Sequence, residues 1–439
     1  MANRISGGGM VYPLVFRGGR IVACDDNGTV VNADLAVVDG KIAAIGADLE
    51  GQVQIDCRDR WLLPGFVQTH VHLVQTLFRD LADDLELMDW LRTRTWPFER
   101  AHDPSTTRDA ARLGIAELLA SGTTSILDMA TVHHTDEVFR AAAEAGIRMT
   151  CGKAQMDRDN EAGLGEDTDT SLRNACDLAD RWHGKGMLRY AFAPRFVPSC
   201  TDELLRESAV EARRRGCMIH THASENRGEV ELVRALTGRD NVEHLDALGL
   251  TGPDVALAHC IHLTGSEEDL LARTGTRVVH CPSSNFKLAS GIARIPELIA
   301  KGVHISLGAD GAPCNNRLDM FAEMRLAALM QKPRLGATAL PATKVLRMAT
   351  ALGAEALNLH AGELEVGKFA DIQVIRPTPW SGGETHAAMV YTFDARAVES
   401  VWVGGVKVAA HGRCLAWDEG ELRASCSRSL ARLRARTGI

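Results

Sequence analysis

Eight short apolar runs recur through the middle of this chain, each followed by a polar or helical stretch. They cover residues 65–70, 123–128, 148–155, 188–194, 217–222, 255–259, 276–280 and 303–308. Amphipathic helices are expected between them, at 109–120, 136–145, 201–215 and 295–301 among others. Apolar strands alternating with helices suit a parallel sheet covered on both faces. Eight such units predict an α/β fold, a (β/α)8 TIM barrel more than an open doubly wound sheet. No GxGxxG or GxxxxGK[ST] motif follows any of these strands, which argues against a nucleotide cofactor.

The flanks have a different rhythm. Short strands at 14–16, 19–23, 33–38 and 41–45 are punctuated by Gly18-Gly19, Asn27-Gly28 and Asp39-Gly40. The last two are hairpin signals. After a helix expected over 341–359, apolar runs return at 370–375, 398–403 and 406–409, and a charged helical tail covers 420–436. The simplest closure joins both flanks in one small β-sandwich domain. The expected division is 1–63 with 365–439 for the sandwich and its helical tail, and 64–364 for the barrel.

Charge and composition bound the function. The net charge is −8, against the basic excess that a nucleic-acid or anionic-membrane surface wants. No apolar run approaches the roughly 18 residues of a membrane span. Residues 1–10 are glycine-rich and lack the apolar core of a secretory signal. Eleven cysteines with no CxxC pair fit reduced thiols and a cytoplasmic location. The run Arg213-Arg214-Arg215 is expected to be a solvated helix end.

The chemistry is concentrated where the strands end, which is where barrel enzymes keep their sites. Strand one ends His70-Val71-His72. Side chains at i and i+2 leave one face of a strand, so two imidazoles are aimed at one point. That suits a divalent transition metal. Strand five ends His220-Thr221-His222-Ala223-Ser224-Glu225, strand six ends at His259, strand seven ends His280-Cys281-Pro282, and strand eight runs into Gly308-Ala309-Asp310. Five strands ending in His or Asp are far more specific than one HxH.

These residues carry a resemblance. Pro64-Gly65-Phe66-Val67-Gln68-Thr69-His70-Val71-His72 resembles the opening signature of the amidohydrolase superfamily. His222, Glu225, His259 and Asp310 fall where its remaining site residues fall, and residues 362–372 resemble its return into a β-sandwich. The resemblance covers about residues 12–410. Two-metal members use a carboxylated Lys at the end of strand four. Here that strand ends Ala193-Pro194-Arg195, and Lys153 lies on strand three. The resemblance therefore implies one divalent metal, zinc first and iron second, held by His70, His72, His222 and Asp310 with a water. It implies hydrolysis by metal-bound hydroxide. Glu225 would carry a proton to a substrate ring nitrogen and Asp310 would accept the second. His259 would hydrogen-bond the nucleophile or the developing charge. His220 and His280 are expected to fill the barrel behind the ligands.

The ring is less settled than the reaction. Residues 280–288 and 308–316, with Glu323-Met324-Arg325, are similar to the methylthioadenosine/adenosylhomocysteine deaminases. Glu99 falls where that group contacts ribose hydroxyls. Residues 222–230 and 152–157, with Ala193-Pro194-Arg195-Phe196 and Gln75, resemble guanine deaminases; the adenosine group usually has His where Arg195 stands. Arg195 offers a forked donor suited to a carbonyl and a ring nitrogen. Gln75, Glu99, Arg195 and Phe196 are thus the expected substrate-binding residues. The resemblance implies an aminohydrolase acting on an aminopurine nucleoside: 5′-deoxyadenosine, methylthioadenosine or S-adenosylhomocysteine. The alternatives are a free base such as guanine or 8-oxoguanine, and a triazine-type hydrolase. Pro313-Cys314-Asn315-Asn316 lacks the PCxxC spacing of the other zinc-deaminase fold. Residues 83–96 are expected to form a lid or a partner contact. His133-His134 could touch substrate. A homodimer is implied by the resemblance alone.

Overall fold

A computed structural model describes residues 3–4, 10–158, 163–378 and 383–439, so the glycine-rich start lies largely outside it. The middle of the chain forms one parallel sheet. Its strands are Phe66–His72, Thr123–Met129, Arg148–Gly152, Leu188–Pro194, Met218–Ala223, Val255–His259 and Arg277–His280, in sequence order, with Ala154–Gln155 as an annex on Leu188–Pro194. The eighth strand comes in two pieces. Ile305–Leu307 pairs with strand seven and Asp310–Gly311 pairs with strand one, which closes the ring. Strands one and two are buried at every residue, packed by helices outside and side chains within.

Gly308 makes this closure possible. A Cβ there would lie 2.6 Å from the His70 carbonyl oxygen and 2.9 Å from its Cβ. Only glycine lets strand eight approach strand one so closely.

Local signals set the helix ends. The helix Pro104–Ala120 starts five residues before its expected onset, because Asp103 caps it: Thr106 N–H donates to Asp103 Oδ1 at 2.8 Å. The expected helix over 341–359 is two helices, Ala342–Met348 and Ala351–Ala356. The Ala349 carbonyl accepts a hydrogen bond from Val67 N–H on strand one at 2.8 Å, and the chain bends there to seal the barrel floor.

The flanks meet in one ten-stranded sheet. Met10–Val22 lies inside it, and Ile372–Ile375 from the C-terminal flank pairs antiparallel with Trp61–Pro64 from the N-terminal flank. Phe16, Leu35, Leu62, Ile372 and Trp402 share its core, with Phe16 edge-on to Trp402 at 5.1 Å. The strand Glu50–Asp56 is an addition to the expected set; it is largely exposed, although Gln52-Val53-Gln54-Ile55-Asp56 alternates polar and apolar and Ile55 packs against the sheet core. Arg148 on strand three makes a buried two-pronged pair with Asp371 and stacks 4.0 Å over Phe369, tying sheet to barrel. The tail is the helix Glu419–Thr437; its Ser425 and Ser429 hydroxyls both donate to Asp109 at 2.6 Å. Among the described residues no helix is long and apolar enough to cross a membrane. All eleven cysteines are unpaired.

Candidate metal centre and active site

The strand ends bring His70, His72, His222, His259 and Asp310 together as expected, and each is buried. Two overlapping groups have the spacing to hold a metal ion: His70, His222 and His259, and His70, His72 and Asp310. His259 therefore stands nearer the ligand positions than its expected role required.

Hydrogen bonds behind the rings fix which nitrogen faces inward. His72 Nδ1 donates to the Met129 carbonyl and His222 Nδ1 to the Arg195 carbonyl, each at 2.7 Å. Both Nε2 atoms are then lone-pair acceptors, yet they face each other at 3.3 Å. Asp310 Oδ1 lies 3.3 Å from His70 Nε2 and 3.4 Å from His72 Nε2. His70 Nε2 and His259 Nε2 have no hydrogen-bond partner among the described residues. Buried acceptors turned on one another are costly unless a cation sits between them. The donor set of imidazoles and one carboxylate fits a divalent transition metal. Burial depresses the basicity of His70, His72, His220 and His222, His72 to about 4, which keeps these four neutral as ligation requires. At His259 burial acts the same way, but Glu225 and Asp310 outweigh it and raise the ring's pKa. His220 sits behind, its Nε2 2.9 Å from His70 Nδ1, as expected. His280 is buried without a hydrogen-bond partner among the described residues.

Two of these positions hold unusual backbone. His259 has φ 74° and Asp310 φ 64°, left-handed conformations that non-glycine residues rarely adopt. Such strain collects at functional sites, where it aims a side chain.

Glu225 faces the same point. Its Oε2 lies 3.5 Å from His259 Nε2, and Asp310 Oδ2 is 3.8 Å from that nitrogen. Burial is the largest influence on its carboxyl and pushes it up to about 7; His259 opposes the rise and Asp310 adds to it. Burial alone would raise Asp310 too, but the rings of His70, His259 and His72 hold it well below the usual range. Two neighbouring carboxyls are thereby driven apart, which separates their acid–base roles.

Several supporting residues carried no assigned role in the sequence. Ser284 Oγ donates to Asp310 Oδ2 at 2.5 Å, and Asn285 Oδ1 accepts from His259 Nδ1 at 2.8 Å. They are neighbours on the short helix Pro282–Lys287 that follows strand seven. Glu229 accepts the Glu225 N–H at 2.7 Å, and Asp128 accepts the Leu73 N–H at 2.8 Å. Glu229 was legible as the fourth residue of Asn226-Arg227-Gly228-Glu229, a helix-start capping box.

A small chamber opens beside the metal group, walled by Arg195, Phe196, Leu288, Leu87, Trp90 and Leu91. Leu87, Trp90 and Leu91 belong to the expected lid. They lie on Leu87–Trp90 and on a π-helical turn, Leu91–Thr95, that continues into Trp96–Ala101. The chamber holds about 30 Å³, room for roughly a water, whereas a small-molecule pocket needs about 300 Å³ or more. As it stands the chamber is too small for a ring-sized ligand. His133 and His134 are not among the wall residues; His133 faces Glu166 instead, at 3.5 Å.

Of the four expected substrate residues, Arg195 and Phe196 line the chamber, while Gln75 and Glu99 do not. Glu99 grips Arg195 through two bonds, Nη1 to Oε2 at 2.6 Å and Nη2 to Oε1 at 3.1 Å. Gln75 Nε2 donates to Glu99 Oε1 at 2.9 Å. The pair is buried, and although burial works against the charge, Arg195 keeps the Glu99 carboxyl below the ordinary value.

A barrel with converging His and Asp at its strand ends defines a metal-dependent hydrolase class. Residues 61–408 match the amidohydrolase family, and the chain belongs to it. It is 40% identical over 391 residues to the 5′-deoxyadenosine deaminase of Methanothermobacter thermautotrophicus, covering 87% of this chain and 90% of that one. It is 38% identical over 357 residues to the 5-methylthioadenosine/S-adenosylhomocysteine deaminase of Desulfitobacterium hafniense, covering 80% and 81%. An adenosine deaminase from Xanthomonas campestris, solved with bound zinc, superposes with TM-score 0.92 at 30% identity over 97% of this chain and 99% of that one.

Proposed function

We propose that this chain is a metal-dependent hydrolytic deaminase that removes the exocyclic amino group of an aminopurine nucleoside and releases ammonia. Its substrate class is 5′-deoxyadenosine, methylthioadenosine or S-adenosylhomocysteine, the class named for the two curated relatives. The observation that carries this reading is Glu225: a buried carboxyl with a pKa of about 7, turned toward the metal group in the same chamber. A proton carrier works best when its pKa lies near the working pH.

His70, His72, His222 and Asp310 would hold one divalent metal, zinc in first place and iron in second. The zinc in the Xanthomonas structure supports the first choice. When bound, the metal would bring the pKa of a coordinated water toward neutrality. The chain's own residues manage the protons. Water adds to the amine-bearing carbon as Glu225 takes one proton and delivers it to the adjacent ring nitrogen. Asp310 accepts the second proton and passes it to the amine, the C–N bond breaks, and ammonia leaves a ring carbonyl behind. Although burial works against its charge, Glu225 and Asp310 make His259 more basic; fixed by Asn285, it donates in its protonated form to the oxygen that becomes this carbonyl. Phe196, Leu288 and Leu91 offer apolar walls for a ring, and the acidic chain suits a neutral or zwitterionic substrate.

One observation favours a second reading. Arg195 lines the chamber, and a guanidinium suits a carbonyl-bearing base such as guanine or 8-oxoguanine. Ammonia release from a panel of adenosine derivatives, guanine, 8-oxoguanine, pterins and aminotriazines separates the readings. Turnover of the adenosines with the zinc-loaded protein supports the first and turnover of guanines alone supports the second. No turnover of any overturns both.

A further inference from the structure

Arg195 and Glu99 are two of the four expected substrate contacts, yet of this pair Arg195 alone reaches the chamber wall. Glu99 stands behind it with its side chain wholly buried. Its acceptor sites are already used. Oε1 receives Gln75 Nε2 at 2.9 Å and Arg195 Nη2 at 3.1 Å; Oε2 receives Arg195 Nη1 at 2.6 Å and lies 3.5 Å from the Thr131 hydroxyl. A carboxylate oxygen has about two acceptor directions, so three of four are filled and the last is closely approached. A substrate hydroxyl has little left to bind there.

The donor count of Arg195 is the reverse. A guanidinium carries five N–H groups. Two go to Glu99 and one faces the Met156 sulfur at 4.0 Å. Among the described residues that leaves Nε–H and one hydrogen on Nη2 uncommitted. The residue is also fixed at its backbone: its carbonyl accepts from His222 Nδ1 at 2.7 Å and from the Thr221 hydroxyl at 3.2 Å. One residue thus orients a metal-group histidine with its main chain and lines the chamber while keeping two N–H groups uncommitted. A substrate whose amine-bearing carbon lies at the metal group has its ring in this chamber.

We propose that Arg195 is the substrate contact, giving its remaining N–H groups to an acceptor on the ring, and that Glu99 is a positioning residue that acts through it, braced by Gln75. Glu99 fixes the fork in one orientation and cancels its charge, so Arg195 acts as a directed donor and not as an anion trap. This rests on the deaminase reading but not on which ring is turned over.

The test is a double-mutant cycle on the zinc-loaded enzyme, with Glu99→Gln, Arg195→Gln and the two together. It is run on 5′-deoxyadenosine and on an analogue that also lacks the 2′ and 3′ hydroxyls. Gln at both positions keeps a neutral hydrogen-bonding pair, so the double variant folds even where a single variant is unstable. The expected result is that Glu99→Gln lowers kcat/KM more than tenfold, by the same factor on both substrates. Zinc content stays constant, and the change is without further effect once Arg195→Gln is present. A Glu99→Gln penalty that disappears with the hydroxyl-free analogue overturns the proposal, because Glu99 then reads the sugar. A penalty that persists undiminished in the Arg195→Gln background overturns it as well. If no adenosine is a substrate but guanine is, the nucleoside reading fails, and the same cycle on guanine still decides the division of labour.

Discussion

The two poles of one chamber use buried charge in opposite ways. At the metal pole, His70, His72, His222, His259 and Asp310 converge with acceptors facing acceptors, and two ring nitrogens are left without partners among the described residues. At the other pole, Arg195, Glu99 and Gln75 are as deeply buried, but the ion pair is bonded on both prongs. The first arrangement is stable only with a cation added; the second is complete in itself. Burial alone therefore does not identify a site, whereas unsatisfied polar atoms at the centre of a ring of donors do.

The largest effect should come from removing chemistry at the first pole while leaving its metal. Glu225→Gln keeps the shape and the hydrogen-bonding ability but cannot carry the proton. Activity should fall by about 10²–10⁴-fold with metal content unchanged by elemental analysis; a variant within tenfold of the parent removes Glu225 from the reaction. His222→Ala should instead lose metal and activity together. Next comes the second pole, broken one-sidedly. Glu99→Ala leaves the Arg195 charge buried and alone, at a cost of about 3–5 kcal/mol. Denaturant titration should show that loss, and Glu99→Ala combined with Arg195→Met should recover much of it. If the single change is neutral, the pair is not the rigid wall described.

A smaller effect tests how the metal pole is held. Ser284→Ala removes the donor to Asp310 Oδ2 and should weaken metal affinity by about 10–100-fold, measured by competition with a chelator, with little change in folding stability. The pH profile is the finest test. Glu225 must be ionised to accept the first proton, and its pKa is raised to about 7. kcat/KM should therefore be level above that value and fall about tenfold per pH unit below it. A profile level down to pH 5 would remove this carboxyl as the proton acceptor.

Most of the barrel was legible because it follows local periodicity. The eight strand positions came from short apolar runs, and His70, His72, His222 and Asp310 were found because each stands at the end of such a run. Two-residue alternation aims His70 and His72 alike whatever the rest of the chain does. The exceptions have non-local causes. The helix expected over 341–359 breaks because the Ala349 carbonyl is claimed by Val67, nearly three hundred residues earlier. The strand Glu50–Asp56 carries only Val53 and Ile55 on its apolar face and is largely exposed, and it is held in place by main-chain pairing with Met10–Val22. Ser284 and Asn285 lie within the 280–288 stretch that resembles the deaminases, but which atoms they hold depends on where strands six and eight end.

By itself the sequence determined the barrel and the residue types that meet at its strand ends, because strand periodicity and side-chain chemistry are local properties, and its resemblance to a family supplied the class of chemistry. The tertiary structure alone decided that Glu99 and Arg195, 96 positions apart, are each other's partner and not two independent substrate contacts. It also decided that residues of the segment after strand one close the chamber. Both are matters of which groups meet in space, and no local pattern records what a charged side chain will be paired with once it is buried.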